Sequence, residues 1–210
     1  MTREAILHLK REPEMAALIH RAGAYRLKPT QRSPYEALLR AIAHQQLHGR
    51  AAEAILARFI ALFLDTPFPA PEQVLAADDA KLRATGFSGS KIAAIRDLCL
   101  RTIDGTVPTR RAAARLSDEE LIARLTEVRG IGRWTVEMLL IFTLGRPDVL
   151  PVDDFGVRDG YRALMKLAEQ PKPRELAAIG EGWAPWRSYA AWYLWRAAEE
   201  AKKQGPQSRA

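Results

Sequence analysis

Apolar side chains along this chain recur at spacings of three and four residues, the period of a helix with one buried face. Leu38, Leu39, Ile42 and Ala43 form one such face, Ile92, Ile95, Leu98 and Cys99 a second, and Val136, Leu139, Leu140 and Leu144 a third. No stretch alternates cleanly enough for a strand, and no unit of roughly 20–50 residues repeats. The pattern predicts an all-α fold. Helices are expected over 4–10, 14–22, 34–47, 50–64, 71–76, 78–84 and 90–103. Others should open at Ser117, run from Gly132 through Leu144, run from Asp154 to about Leu167, and cover 186–203. Proline and glycine punctuate them. Pro13 and Pro34 suit first helical positions, Gly23 and Gly105 suit stops, and proline loops fall at 67–71 and 171–173. Two starts carry the spacing of a capping box, Ser33 with Glu36 and Ser117 with Glu120. The end of the chain, Gly205 to Ala210, reads as frayed.

The 210 residues, 48% of them hydrophobic, suffice for one large core or two smaller ones. A formal charge of +7 and a pI of about 9.8 favour a polyanionic partner without naming one. The single cysteine, Cys99, excludes an internal disulfide framework and a four-cysteine iron–sulfur cluster; its apolar surroundings read as those of a small buried hydrophobe. No apolar run approaches the ~20 residues of a membrane span. The charged N-terminus does not read as a signal peptide. The expected location is cytoplasmic, at the nucleoid, in a bacterium and nuclear in a eukaryote.

Candidate chemistry gathers in residues 125–160. Val128-Arg129-Gly130-Ile131-Gly132 reads as a tight hairpin between two helices, with Ile131 turned inward. Two glycines alone fit a plain αα-hairpin equally well. Helix N-termini such as the one after Gly132 favour an anion, and a phosphodiester suits a basic protein. Asp153 and Asp154 follow Pro151-Val152 and precede a helix; one of them fits an N-cap, and because carboxylates at caps are common, position alone gives the other no catalytic role. Trp134, a large aromatic, reads by itself as core packing. Gln45-Gln46-Leu47-His48 ends a helix. His44 and His48 have metal-ligand spacing but lack a third ligand in the sequence. The aromatics of WAPWRSYAAWYLW have a spacing that sends most of them into the core.

The hairpin, followed about twenty residues on by Pro147, Pro151, Val152, Asp153 and Asp154, resembles the helix-hairpin-helix (HhH-GPD) DNA glycosylase superfamily, to which endonuclease III also belongs. Within it the chain is most similar to the AlkA-like DNA-3-methyladenine glycosylases II. The resemblance begins near residue 13 and covers nearly everything after it, with no counterpart to the N-terminal β-domain of some members. It implies two helical lobes flanking a cleft, one over 33–145 with the helix-hairpin-helix at about 117–145, the other over 1–32 plus 146–210. The implied function is hydrolysis of the N-glycosidic bond of an alkylated purine in double-stranded DNA, by a monomer, in base excision repair. The aspartate pair then makes Asp154 catalytic, with Asp153 next if the alignment slips by one. Trp134 stands where strand-nicking relatives carry a lysine, which implies a monofunctional enzyme without lyase activity. Trp134, Trp195 and Tyr35 would form the base pocket; Trp195 comes from the likeness of Trp186-Arg187-Ser188-Tyr189-Ala190 to bacterial relatives. Gln46, Leu47, His48, Gly130, Gly132 and Arg133 would contact DNA, with Leu47 filling the gap left by a flipped base. No cofactor is implied beyond a structural Na+ or K+ on the carbonyls of Thr126, Val128 and Ile131. Two other readings stay open: a non-catalytic helix-hairpin-helix module, and a glycosylase for another damaged base.

Overall fold

Local chemistry sets where the helices begin. The computed structural model describes residues 2–63 and 66–204, and among these there is no strand. α1 (Thr2–Leu9) and α2 (Pro13–Ala22) come first, with Pro13 at the start of α2 and Gly23, at φ 77°, ending it. α3 (Pro34–His44) starts on Pro34, and the Ser33 hydroxyl accepts from the Glu36 N–H at 3.1 Å. The Glu36 carboxylate turns to the guanidiniums of Arg40 and Arg32, at 2.9 and 3.4 Å. α4 (Gly49–Ala61), α5 (Pro71–Ala76), α6 (Asp79–Ala84), α7 (Gly89–Ile103), α8 (Arg110–Ala113), α9 (Asp118–Leu125) and α10 (Arg133–Leu139) follow. Asp78, Ser88, Thr109 and Ser117 cap α6 to α9 through their side-chain oxygens. At Ser117 the box is complete, because Glu120 Oε2 accepts from the Ser117 N–H at 2.7 Å. α11 (Phe155–Met165), α12 (Pro173–Gly180) and α13 (Arg187–Gln204) end the series.

The helices form two compact units, one of Thr30–Leu144, the other of the residues up to Pro29 and from Gly145 onward. In the first, Leu38, Leu39 and Ile42 of α3 are buried, as are Leu56 and Phe59 of α4 and Ile95 and Leu98 of α7. Each such side chain contributes roughly 1.5–3 kcal/mol on leaving water. Thr30 belongs to this unit because its N–H bonds the Phe142 carbonyl at 2.9 Å and Arg110 binds the carbonyls of Thr30 and Arg32 at 3.0 Å. In the second unit α13 lies along α11, with Met15, Leu18, Trp183, Tyr193 and Leu194 in the core. That close approach requires Gly160 of α11: a Cβ there would overlap the Leu194 carbonyl oxygen of α13.

Some elements differ from the sequence expectation. α8, α12 and a short 3-10 turn, Glu181–Trp183, were not foreseen. α12 had a legible start: Pro173 occupies its first turn, and Glu175 accepts from the Lys172 N–H at 2.8 Å. The helix expected through Leu144 narrows to α10 and then widens into a π-helical stretch, Leu140–Leu144, where the Phe142 carbonyl turns to Thr30. α3 ends at His44, short of Leu47, for a tertiary reason given below. α4 ends at Ala61; Leu64, at the expected end, lies outside the described residues, as does the frayed stretch expected at 205–210.

Candidate functional site

In the Thr30–Leu144 unit the hairpin is fixed from inside. Val128 and Ile131 are buried, and the Ile131 N–H bonds the Val128 carbonyl at 3.0 Å. Asp97 of α7 accepts from the Arg129 N–H at 2.7 Å. Only Gly130 has a positive φ, 78°; Gly132 is extended and serves as the N-cap of α10. Arg133 pairs with Glu137 one turn on, at 2.9 Å.

Trp134 is not core: it is 48% exposed. It forms one wall of a concavity of about 540 Å³, with Ala41 and His44 of α3, Gln46, Gly130 and Met138 around it. His44 has both ring nitrogens engaged, Nδ1 with the Arg40 carbonyl at 2.9 Å and Nε2 with Glu53 at 3.1 Å. Among the described residues no group of three His, Cys, Asp or Glu side chains is placed for a metal ion. The chain after α3 turns at Gln46, φ 56°, and leaves Leu47 40% exposed and His48 exposed at the N-cap of α4.

Tyr35 needs a correction. It is 7% exposed, its hydroxyl lies 3.7 Å from Cys99 Sγ, and its ring meets Phe68 edge-on at 5.9 Å. Burial, then the Cys99 contact, pushes its phenol far up. Tyr35 is therefore a packed core residue, outside the Trp134 concavity. Burial likewise raises the Cys99 thiol to about 11, which fits an inert hydrophobe.

In the other unit Asp154 caps α11: its Oδ1 accepts from the Val157 N–H at 2.8 Å. The same Oδ1 accepts from the Trp195 indole Nε1 at 2.9 Å. The indole fits there because residue 156 is glycine: a Cβ would stand 2.9 Å from Trp195 Cδ1 and 3.1 Å from Asp154 Oδ1. Asp153 is exposed. The structure gives the cap to Asp154, the residue the resemblance makes catalytic.

The loop leading to this carboxylate is tied by Asp148, Arg187 and Ser188. Asp148 makes a fork with Arg187 at 2.7 and 2.9 Å, and Ser188 Oγ accepts from the Val149 N–H and donates to the Arg146 carbonyl. Burial opposes ionisation of Asp148, and the Arg187 bonds outweigh it, holding the carboxyl below the usual range. Arg187 and Ser188 stand in the Trp186–Ala190 stretch that resembles bacterial relatives, whereas nothing local marks Asp148 as their partner.

The carbonyls of Thr126, Val128 and Ile131 are neutral oxygens. That of Val128, which accepts from Ile131, keeps the second lone pair any carbonyl has. Such a donor set fits a monovalent cation rather than zinc.

A family model described as HhH-GPD superfamily base excision DNA repair protein matches residues 39–185. The chain is 46% identical over 191 residues to DNA-3-methyladenine glycosylase 1 of Schizosaccharomyces pombe, covering 90% of this chain and 84% of the relative. It is similar to the solved structure of S. pombe 3-methyladenine DNA glycosylase in complex with abasic DNA, with a TM-score of 0.84 at 45% identity over 93% and 97% of the two chains. It is also similar to a DNA-3-methyladenine glycosidase from Bacillus halodurans, with a TM-score of 0.85 at 34% identity over 94% and 89%.

Proposed function

Because the chain belongs to the HhH-GPD superfamily of base excision DNA repair proteins, we propose that it is a DNA-3-methyladenine glycosylase, hydrolysing the N-glycosidic bond of alkylated purines in duplex DNA. The observation that carries this reading is Asp154, whose Oδ1 is held by the Val157 N–H and the Trp195 indole. Those two bonds hold the Asp154 carboxylate in place at the start of α11. As the bond from C1′ to the purine breaks, the electron pair leaves with the base and positive charge builds on the deoxyribose. A fixed anion lowers that barrier electrostatically. Water adds its oxygen to C1′ and gives up a proton, which Asp154 accepts. The products are the free methylated base and an abasic site. A methylated purine is already cationic and needs no strong acid to depart. Trp134, with its exposed face, is the stacking wall for such a cation.

The partner is duplex DNA, engaged by one copy of the chain where DNA is held, a nucleoid or a nucleus. The charge of +7 favours that polyanion, and Gly130, Gly132 and Arg133 are assigned to a phosphate of the backbone. A Na+ or K+ on the hairpin carbonyls would brace this contact; no cofactor takes part in the reaction. No helix among the described residues is long and apolar enough to cross a membrane.

Hydrolysis without strand cleavage follows from Trp134 in the place of the nucleophilic lysine, since an indole forms no imine with C1′. Methylated duplex DNA is expected to release free methylpurines, identified by chromatography. The strand should stay whole until alkali or heat is applied, and borohydride should trap no covalent adduct. An efficiently trapped protein–DNA band would overturn the monofunctional assignment, and no base release at all would leave a binding module with Asp154 as a cap.

Leu47 is the proposed wedge. A flipped nucleotide leaves a hole in the stack, and an apolar side chain that fills it recovers part of the unstacking cost. Leu47→Ala is expected to weaken binding to abasic duplex and slow excision by about 1–3 kcal/mol, the scale of one buried leucine. Its 40% exposure in the free protein means the melting temperature should hardly change. A large drop in melting temperature with unchanged affinity per folded molecule would make Leu47 a core residue instead.

A further inference from the structure

We propose that Lys91 is a positioning residue for the proposed wedge: its ammonium closes the end of α3 in the geometry that presents Leu47, while Gln45 ties the same loop to the hairpin. The inference rests on the reading of Leu47 as the wedge. α3 leaves helical geometry at Gln45, φ −54° and ψ 130°, so its last carbonyls need partners from elsewhere. Lys91 Nζ donates to the carbonyls of Ala43 and Gln45, both at 2.8 Å. A cation at a helix C-terminus also meets the negative end of its dipole. The next residue, Gln46, is held at φ 56°, a conformation that L side chains keep only where their surroundings impose it. From the other side Gln45 Nε2 donates to the Gly130 carbonyl at 2.8 Å. Gln45, the residue that leads into the turn carrying Leu47, is thus tied twice, to α7 and to the hairpin.

Lysine is a poor choice for this position by local rules. It is the third residue of α7, where the dipole favours an acid, and the first turn of α7 holds none. Burial also opposes its charge and lowers its pKa. The two carbonyl bonds and the C-terminus of α3 are what offset both penalties.

A double-mutant cycle on duplex DNA bearing a methylated purine tests the idea. Lys91→Met keeps the aliphatic stem and removes the donors. It should lower kcat/KM on the order of tenfold when Leu47 is present, and less than about twofold in the Leu47→Ala background, because neighbouring parts of one device are non-additive. The salt dependence of DNA binding should not change, whereas a lost phosphate contact would reduce its slope by about one. Equal losses in both backgrounds, a reduced salt slope, or no loss at all would each overturn the assignment. If Lys91→Met melts early, Gln45→Ala severs the second tie at a half-exposed side chain, with the same coupling to Leu47 expected. An unchanged excision rate for Leu47→Ala alone would show that the wedge reading had failed, and the inference with it; a slow Leu47→Ala variant with additive Lys91→Met would refute only the role of Lys91.

Discussion

Replacing Asp154 by asparagine is expected to lower excision of methylated purines by about a thousandfold, roughly 4 kcal/mol, while leaving the protein folded and bound to abasic DNA. The change removes one charge and almost no volume. An asparagine carbonyl still accepts from the Val157 N–H and the Trp195 indole, the two bonds on Oδ1. Asparagine is also as good an N-cap as aspartate, so α11 should keep its start. What is lost is the anion facing an oxocarbenium-like sugar and the group that takes the proton from water. Asp153→Asn is the matched control, because Asp153 is exposed and caps nothing in α11. Single-turnover excision with both variants decides the matter. Full activity in Asp154→Asn with none in Asp153→Asn would move the catalytic role by one residue. Full activity in both would remove the enzyme reading.

The second large effect is structural. Gly160→Ala is expected to destabilise the unit built on α11 and α13 by about 3 kcal/mol, the upper range for overpacking a core. The added methyl would overlap the Leu194 carbonyl oxygen, and a backbone atom cannot rotate away. The two helices must part or the chain must bend. Alanine's better helix propensity, about 1 kcal/mol, acts in the opposite direction and does not cover the loss. For a chain of this length that predicts a melting temperature lower by roughly 6–12 °C. Gly49→Ala is the control: Gly49 begins α4 with open space where a Cβ would go, so its melt should not fall. Equal melts for the two variants would mean that α11 and α13 have room that the contact at Gly160 denies.

Most of the helices and their starts are read from local sequence, α8 and α12 excepted. A capping serine, a proline at the first turn or a helical apolar period acts within a few residues, so Ser33, Ser117, Pro13 and the α7 face could be read directly. The sequence also determined the hairpin, because Val128 and Ile131 stand on either side of a glycine that takes a positive φ. It placed an aspartate pair at the head of α11, but not which member caps. That choice involves a contact across the fold, since the donor that joins the cap on Asp154 Oδ1 is Trp195, 41 residues away. The end of α3 escaped the sequence for the same reason: the cation that takes its carbonyls is Lys91 of α7, and nothing near Gln45 announces it. Tyr35 and Trp134 are the paired case. Both are large aromatics near helix starts, and no local rule tells which one packs against Cys99 and which keeps an exposed face. Burial depends on what the rest of the chain brings to a side chain, and that is a property of the fold rather than of any window of sequence.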